Sequence, residues 1–332
     1  KQTSRSQILP LLGQIFLSMG ASNESVIAFE KSGEIQSAIE ASIRLNNFKY
    51  AFQLCSNEQN QGQQKLLLLN IKEKMNEYVN KLIENGQIAA AVEFYSDAGL
   101  EIESAKLLIK EGDKQLQAFQ FIKSKQFYIF AGLKLLEYIR NMEKSNFEFQ
   151  ETSNLLNEIW RKAEAVHFYV LAHKFLRMRK WKNALFCSIR VFDMYSDIIG
   201  ENHAAGLLAV CGLKTGFMHQ CSKGFTSLES FDDYSEKEKK RFEDLAIDIF
   251  LNKPPVDPKI KKEIICPKCS NELSEVDCQC NECGYNLTFC VASGVVIDDD
   301  RYTCSHCQHS ISLSVNMSEL SVCPFCHQTI DF

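Results

Sequence analysis

Four pairs of cysteines near the end of the chain have the spacing of metal ligands. Two residues separate the cysteines of each pair, so both sulfurs can face one side of a tight turn. Two such turns supply the four thiolates of a tetrahedral Zn–S4 site, in which the bonds are about 2.3 Å long. The predicted zinc ligands are Cys266, Cys269, Cys280, Cys283, Cys304, Cys307, Cys323 and Cys326.

Pairing neighbouring turns gives the spacings C-x2-C-x10-C-x2-C and C-x2-C-x15-C-x2-C, which are typical of zinc ribbons. Each site then has four thiolates and no open coordination position, whereas a catalytic zinc keeps one position for water or substrate. We therefore predict two structural Zn2+ ions and no catalytic site. A crossed arrangement, in which the first pair joins the third and the second joins the fourth, uses the same ligands and stays open.

Two further cysteines of this region, Cys278 and Cys290, fall outside the pairs. Cys278 could replace Cys280 as a ligand only by giving up the two-residue spacing. Cys290 begins the apolar stretch "CVASGVVI" and is predicted to be a buried free thiol that starts the connection between the two sites. Three histidines lie beside ligands but are expected not to coordinate, since no thiolate is missing: His306, His309 and His327.

Charge and motif content argue against nucleic-acid binding and catalysis. The net charge is −5, and residues 259–332 carry all of it, with five Lys/Arg against ten Asp/Glu. A nucleic-acid module needs cations to displace counterions from phosphate. The sequence contains no GxxxxGK[ST], HExxH or GxSxG motif, and its apolar stretches are shorter than the roughly 18 residues that span a bilayer. We predict a protein that is not an enzyme, binds no nucleic acid and does not span a membrane.

The cysteine pairs lie in the last part of the chain, and the long segment that precedes them has a different sequence pattern. Residues 11–253 contain no proline, which favours helix because an interior proline costs a helix about 3 kcal/mol. A left-handed residue often follows a helix, and Gly or Asn suits that position. Such residues recur every 13 positions, at Gly20, Gly33, Asn46, Gly86, Gly99 and Gly112. Small residues that would let the next helix approach follow at Ala38, Ala51, Ala91, Ala105 and Ala118.

This pattern predicts an all-α, tetratricopeptide-like α-solenoid, followed by a small C-terminal Cys-rich zinc-ribbon module. The predicted boundaries are a helical-hairpin solenoid over residues 1–251, a Pro/Lys linker over 252–262 and a double zinc-binding module over 263–332. The module has few large apolar side chains, so we expect structural zinc to contribute on the order of 10 kcal/mol to its folding.

Three segments resemble the C-terminal end of intraflagellar transport complex A subunits, and they are most similar to the family of the WD-repeat subunit of the 144-kDa class. These segments are "ICPKCSNELSEVDCQCNECGYNLTFCVASG", "YTCSHC" and "SVCPFC". In that family a paired CxxC module runs into a C-[IV]-A-[ST]-G segment, here Cys290–Gly294, and a second CxxC pair closes the chain. The segment "FEDLAIDIFLNKPPVDP" is also similar. The resemblance is specific from Phe242 onward and generic over the helices.

The resemblance implies a scaffold subunit with WD40 propellers in a part of the protein that precedes Lys1. Its helices would contact other intraflagellar transport complex A subunits, and ciliary cargo or adaptors only indirectly. It implies roles in retrograde ciliary transport and in the passage of cargo into the cilium. The implied locations are the cytoplasm, the cilium or flagellum and the basal body. The eight CxxC cysteines would be the zinc ligands, while the roles of Cys278 and Cys290 stay open.

The main alternative is a RING-like ubiquitin ligase or a vesicle-tether subunit, because some tethering proteins join a solenoid to a C-terminal RING. A RING interleaves its ligand pairs in the crossed arrangement. It typically has a C-x-H before its third pair, and no histidine lies between Cys266 and Cys304. The spacing therefore favours the scaffold over the ligase.

Overall fold

The structure is a computed structural model that describes residues 3–56, 61–141, 147–258, 263–297, 300–315 and 320–330. Within these ranges thirteen α-helices precede four short β-strands. The predicted fold class, helices with tetratricopeptide-like repeats followed by a cysteine-rich module, is confirmed. No helix in the described ranges has both the length and the apolar character needed to cross a lipid bilayer.

The helices are α1 (Thr3–Ser18), α2 (Ser22–Ser32), α3 (Ile35–Arg44), α4 (Phe48–Ser56), α5 (Gln61–Glu84), α6 (Ile88–Asp97), α7 (Glu101–Gln117), α8 (Phe121–Arg140), α9 (Phe147–Arg177), α10 (Trp181–Ile199), α11 (Glu201–Thr215), α12 (Met218–Ser230) and α13 (Glu236–Asn252). The strands are β1 (Glu263–Ile265), β2 (Glu272–Ser274), β3 (Arg301–Thr303) and β4 (Ser310–Ser312). The chain divides into two compact units, Lys1–Leu107 and Leu108–Phe332.

In the first unit, each helix from α1 to α5 packs against the next one along the chain. The 13-residue repeat marks the helix ends here, as predicted. The residues with left-handed φ are Gly20, Gly33, Asn46, Gly86 and Gly99. The small residues that follow them, Ala38, Ala51, Ala91 and Ala105, are fully buried, so they allow the close helix contacts that the spacing predicted.

In the second unit, each helix from α8 to α12 packs against the next one along the chain. The prediction that Gly112 ends a helix is wrong, because Gly112 lies inside α7. A Cβ at this position would lie 2.6 Å from Cε1 of Tyr128, so the glycine serves the close approach of α8. The left-handed residue that follows α7 is Phe119, and the neighbouring Ala118 is exposed instead of buried.

The cysteine-rich segment belongs to the same unit as helices α8 to α13. Strands β1 and β2 pair antiparallel, with Ile264 opposite Leu273, and β3 and β4 pair antiparallel, with Tyr302 opposite Ile311. Such two-stranded ribbons are too small to be stable by themselves. Their stability must therefore come from the cysteine clusters and from contacts with the helices.

Candidate metal centres and their contacts with the helices

The structure brings the eight predicted ligands together in two groups of four. In each group all four sulfurs lie within 4.8 Å of one another. The first group is Cys266, Cys269, Cys280 and Cys283, and the second is Cys304, Cys307, Cys323 and Cys326. Neighbouring pairs along the chain therefore meet, and the arrangement is sequential, not crossed.

Sulfurs from different turns approach one another closely. In the first group, the sulfurs of Cys266 and Cys283 are 3.6 Å apart and those of Cys269 and Cys280 are 3.5 Å apart. In the second group, two corresponding distances are both 3.8 Å, between Cys304 and Cys326 and between Cys307 and Cys323. A tetrahedron with Zn–S bonds of about 2.3 Å separates its sulfurs by about 3.8 Å. Both groups thus fit a zinc ion.

All four CxxC turns have one backbone geometry. If the first cysteine is residue i, its N–H donates to the carbonyl of residue i+5. The N–H of residue i+4 donates to the carbonyl of residue i. The fourth residue after each first cysteine is left-handed: Ser270, Gly284, Gln308 and His327. In each turn, the residues one before and six after the first cysteine pair as an antiparallel bridge.

A fifth turn of the same geometry contains one cysteine, and we call residues 290–295 the single-cysteine turn. The N–H of Cys290 donates to the carbonyl of Val295 at 2.9 Å, and the N–H of Gly294 donates to the carbonyl of Cys290 at 2.8 Å. Gly294 is left-handed, at φ 74°. Ser293 occupies the place of the second cysteine. Cys290 is buried, as predicted, and its sulfur accepts a hydrogen bond from the N–H of Ser312 at 3.3 Å.

The single-cysteine turn packs on helices α9 and α10. Nε2 of the buried His167 lies 2.7 Å from the carbonyl oxygen of Val291, and Nδ2 of Asn183 donates to the carbonyl of Ser293 at 3.1 Å. A Cβ on Gly294 would lie 2.4 Å from the sulfur of Cys187. Burial lowers the pKa of His167 well below 6.5, so the imidazole is neutral and its Nε2–H donates to Val291.

Arg190 of α10 holds the segment between the two turns of the first group. Its side chain is fully buried, and Nη1 donates to the carbonyl of Val276 at 3.1 Å and to the sulfur of Cys278 at 3.0 Å. Nη2 donates to the carbonyl of Glu275 at 3.2 Å, and the guanidinium lies 4.0 Å from the ring centroid of Phe289. Burial raises the pKa of Cys278 to about 11, although Arg190 acts in the opposite direction, so this thiol stays protonated.

Cationic side chains of α8 face the second group. Lys125 is buried, and its Nζ lies 3.3 Å from the carbonyl oxygen of Pro324 and 3.2 Å from Nε2 of His327. Nη2 of Arg140 donates to the carbonyl of Ser305 at 2.7 Å. A zinc ion with four thiolates has a net charge of −2, which these cations would partly offset. Burial lowers the pKa of Lys125 to about 8, while the nearby cysteines raise it.

The aromatic side chain of Phe325 anchors the second group on α9. It is fully buried, its ring contacts those of Trp160 and His167, and it stacks on His309 with centroids 3.9 Å apart. Nε2 of His309 lies 2.8 Å from a carboxylate oxygen of Glu164. His309 therefore has partners of its own on a helix, and neither it nor His327 belongs to the two groups of sulfurs.

Family models match three successive parts of the chain. The TPR repeats of WD repeat-containing protein 35 match residues 69–137, and the TPR repeats of IFT121-like proteins match residues 157–257. The second zinc finger domain of IFT121 matches residues 288–331. This third match includes the single-cysteine turn and the whole second group of cysteines.

Relatives align with nearly the whole chain. WD repeat-containing protein 35 from Rattus norvegicus and from Mus musculus is 26% identical over 98% of the chain. The same protein from Homo sapiens is 27% identical over 98% of the chain. The chain spans 28% of the length of the rat and mouse proteins and 27% of the human protein, so it corresponds to about a quarter of these relatives.

These matches confirm the resemblance to a WD-repeat subunit of the intraflagellar transport A complex that the C-terminal cysteines indicated. The matched models and relatives carry the names IFT121 and WD repeat-containing protein 35. The resemblance that they support is therefore to the IFT121 subunit, whereas the sequence alone had indicated the 144-kDa class. The chain is therefore similar to the region of IFT121-like proteins that holds the TPR repeats and the second zinc finger domain.

Proposed function

We propose that the chain is part of a non-enzymatic scaffold subunit of the intraflagellar transport A complex. Its TPR-like helices would contact other subunits of this complex, and cargo or adaptors only indirectly, in retrograde ciliary transport and in the passage of cargo into the cilium. It would act in the cytoplasm, the cilium or flagellum and the basal body. Within this proposal, the solenoid comprises residues 1–251, the linker residues 252–262 and the double zinc-binding module residues 263–332.

We further propose that the eight grouped cysteines bind two structural Zn2+ ions. The observation that carries this proposal is the spacing of the sulfurs, which lie 3.5 to 3.8 Å apart between turns. Four thiolates complete the coordination of zinc and leave no position for a substrate. When bound, each ion would fix two turns relative to each other, which a short two-stranded ribbon cannot do alone.

The contacts of both cysteine groups with the helices connect zinc to the scaffold role. Arg190 joins α10 to the first group, and Lys125 and Phe325 join α8 and α9 to the second. Because these contacts require folded turns, zinc would preserve the surface that helices α8 to α10 present to partners. The sequential pairing of the turns also favours ribbons over a RING-like ubiquitin ligase, whose ligand pairs are crossed.

Metal content and complex assembly test this proposal together. We expect two zinc ions per chain by elemental analysis, and co-purification of the zinc-loaded chain with other subunits of the intraflagellar transport A complex. A folded chain that binds no zinc would overturn the metal assignment. A zinc-loaded chain that retains none of those subunits would overturn the scaffold role. Discharge of ubiquitin from a charged conjugating enzyme in a single turnover would show that the chain is an enzyme.

A further inference from the structure

A groove on the second unit exposes large apolar side chains. It lies between the beginning of α8 and the end of α9 and encloses about 890 Å3. Phe119, Ile122 and Met178 line it, with 63%, 65% and 50% of their surface exposed. Exposed apolar side chains are common singly, whereas several that line one concave space indicate an interaction site.

A row of rings forms one side of this groove. His203 contacts Phe119 at a centroid distance of 5.4 Å, and Phe119 lies 6.3 Å from Phe121. Phe121 and Tyr169 are 4.7 Å apart, and so are Tyr169 and His173. Packed rings lose little further conformational freedom on binding, so the row offers a preformed apolar surface.

Two bulky residues at the ends of the groove adopt a backbone conformation that favours glycine. Phe119 and Arg179, which follows the lining residue Met178, both have φ near 57°. Each follows a helix, in the position that Gly86 and Gly99 occupy in the first unit. The left-handed region is strained for large side chains, and such strain concentrates at functional sites. Glycine would relieve this strain, whereas the ring of Phe119 contacts His203 and Phe121 and leaves 63% of the residue exposed to the groove.

The segments that line the groove are cationic, while Asp113, Glu158 and Asp197 line a separate cavity that Phe119 also borders. Residues 114–136 and 165–192 contain no Asp or Glu. The exposed cations near the groove are Lys123, Lys174, Arg177, Arg179 and Lys180. Within the described parts of the chain, none of these five forms an ion pair. Burial lowers the pKa of His173, and the positive charge of Arg177 lowers it further, in agreement with a positive local potential.

We propose that this groove binds an acidic amphipathic helix of a partner protein. Apolar side chains of the helix at i, i+3 or i+4 and i+7 would fill the space beside the aromatic row, and its Asp and Glu side chains would face the lysines and arginines. A helix fits better than a membrane surface, because the apolar residues line a concave space. The choice of a protein partner rests on the proposed scaffold role.

A synthetic peptide tests this proposal on the full, zinc-loaded chain. The probe is a fluorescein-labelled, helix-stapled peptide of about four turns, with leucines along one face and glutamates beside them. A peptide with lysines in place of the glutamates is its matched control. In fluorescence anisotropy we expect binding of the acidic peptide only. A double variant, Lys174→Glu with Arg177→Glu, should lose at least about tenfold in affinity, since it reverses the charge of the rim.

Phe119→Gly separates binding from folding. It removes the exposed ring and relieves the left-handed strain, so we expect a melting temperature at or above that of the unchanged chain and an affinity about tenfold lower. Phe130→Ala, which truncates an exposed ring of α8 outside the groove, should leave affinity unchanged. Full affinity of Phe119→Gly, or equal binding of both peptides, overturns the proposal. So does Phe119-dependent binding of phosphatidylserine vesicles without peptide binding. Zinc content measured in the same samples shows separately whether the metal proposal holds.

Discussion

The sulfur of Cys278 lies 3.0 Å from Nη1 of Arg190, inside the contact between helix α10 and the first group of cysteines. The same guanidinium donates to two carbonyl groups of the neighbouring backbone, those of Glu275 and Val276. Cys278 thus has an arginine of a helix as its partner. The first group contains four other thiols, which are enough for one Zn2+ ion without Cys278.

Exchanging single cysteines for serine tests this division of roles. Cys280→Ser should reduce the zinc content from two ions to one, because three thiolates and a neutral hydroxyl hold zinc poorly. Cys278→Ser should retain two ions, since the serine hydroxyl can still accept a hydrogen bond from Arg190. Elemental analysis of both purified variants gives the answer. One zinc ion in Cys278→Ser would place this residue among the ligands.

Replacing Arg190 should destabilise the second unit without removing zinc. Arg190→Met keeps an unbranched, flexible side chain but leaves the carbonyl groups of Glu275 and Val276 without their donor. Unsatisfied buried acceptors cost about 1–3 kcal/mol each, so we expect the free energy of unfolding to fall by about 2–4 kcal/mol. Urea denaturation with excess zinc measures this change. A loss below about 0.5 kcal/mol, or a loss of metal, would contradict the role assigned to Arg190.

Two glycines provide a matched test of the single-cysteine turn. Gly294 and Gly284 occupy the same position in their turns, with φ of 74° and 68°. Alanine is strained at both, by about 1–2 kcal/mol. A Cβ at Gly294 would also lie 2.4 Å from the sulfur of Cys187, whereas at Gly284 the nearest atom is 3.8 Å away. Gly294→Ala should therefore cost about 1–3 kcal/mol more than Gly284→Ala. Equal melting temperatures for the two variants would mean that the turn does not rest on α10.

The neutral, buried His167 should make the stability of the second unit depend on pH. Folding lowers its pKa well below 6.5, mainly through burial and then through the charge of Lys125. The native state then binds fewer protons than the unfolded state, so the free energy of unfolding falls as pH drops below 6.5. The slope is at most about 1.4 kcal/mol per pH unit.

Comparison with His167→Gln isolates this contribution. The glutamine amide can still donate to Val291 but does not titrate, while the protonation of zinc thiolates in acid affects both proteins alike. We expect the unchanged chain to be more stable at pH 7.5 and the difference to shrink between pH 6.5 and pH 5.5. Denaturation curves at these three values measure it. A difference that stays constant across this range would show that His167 keeps an ordinary pKa.

Whether neighbouring or alternate turns meet could not be predicted from the spacing, since both arrangements use the same eight cysteines. The CxxC turns themselves could be predicted, because each turn is defined by the local spacing of four residues. The left-handed helix ends of the first unit were predictable for the same reason, since Gly33 and Gly86 satisfy a requirement of their own backbone. Gly112 did not follow this rule, because a larger residue there would clash with the side chain of Tyr128 on another helix.

Contacts between distant parts of the chain could not be predicted. Arg190 and Cys278 are 88 residues apart, and His167 and Val291 are 124 apart. No local pattern indicates which face of which helix will cover a given turn. The single-cysteine turn did have a local signal, because its C-x-x-x-G sequence repeats that of Cys280–Gly284. A search restricted to cysteine pairs misses it.

The geometry of the single-cysteine turn has a consequence for the order of folding. The proposed zinc ions would hold the four CxxC turns in pairs, whereas residues 290–295 are held by their own hydrogen bonds and by helices α9 and α10. This turn can therefore form while the chain is still free of zinc. It lies between the two sets of ligands and would keep both beside the helices. A zinc ion that binds later would then meet cysteines whose positions are already restricted. Less conformational entropy is lost when each site closes.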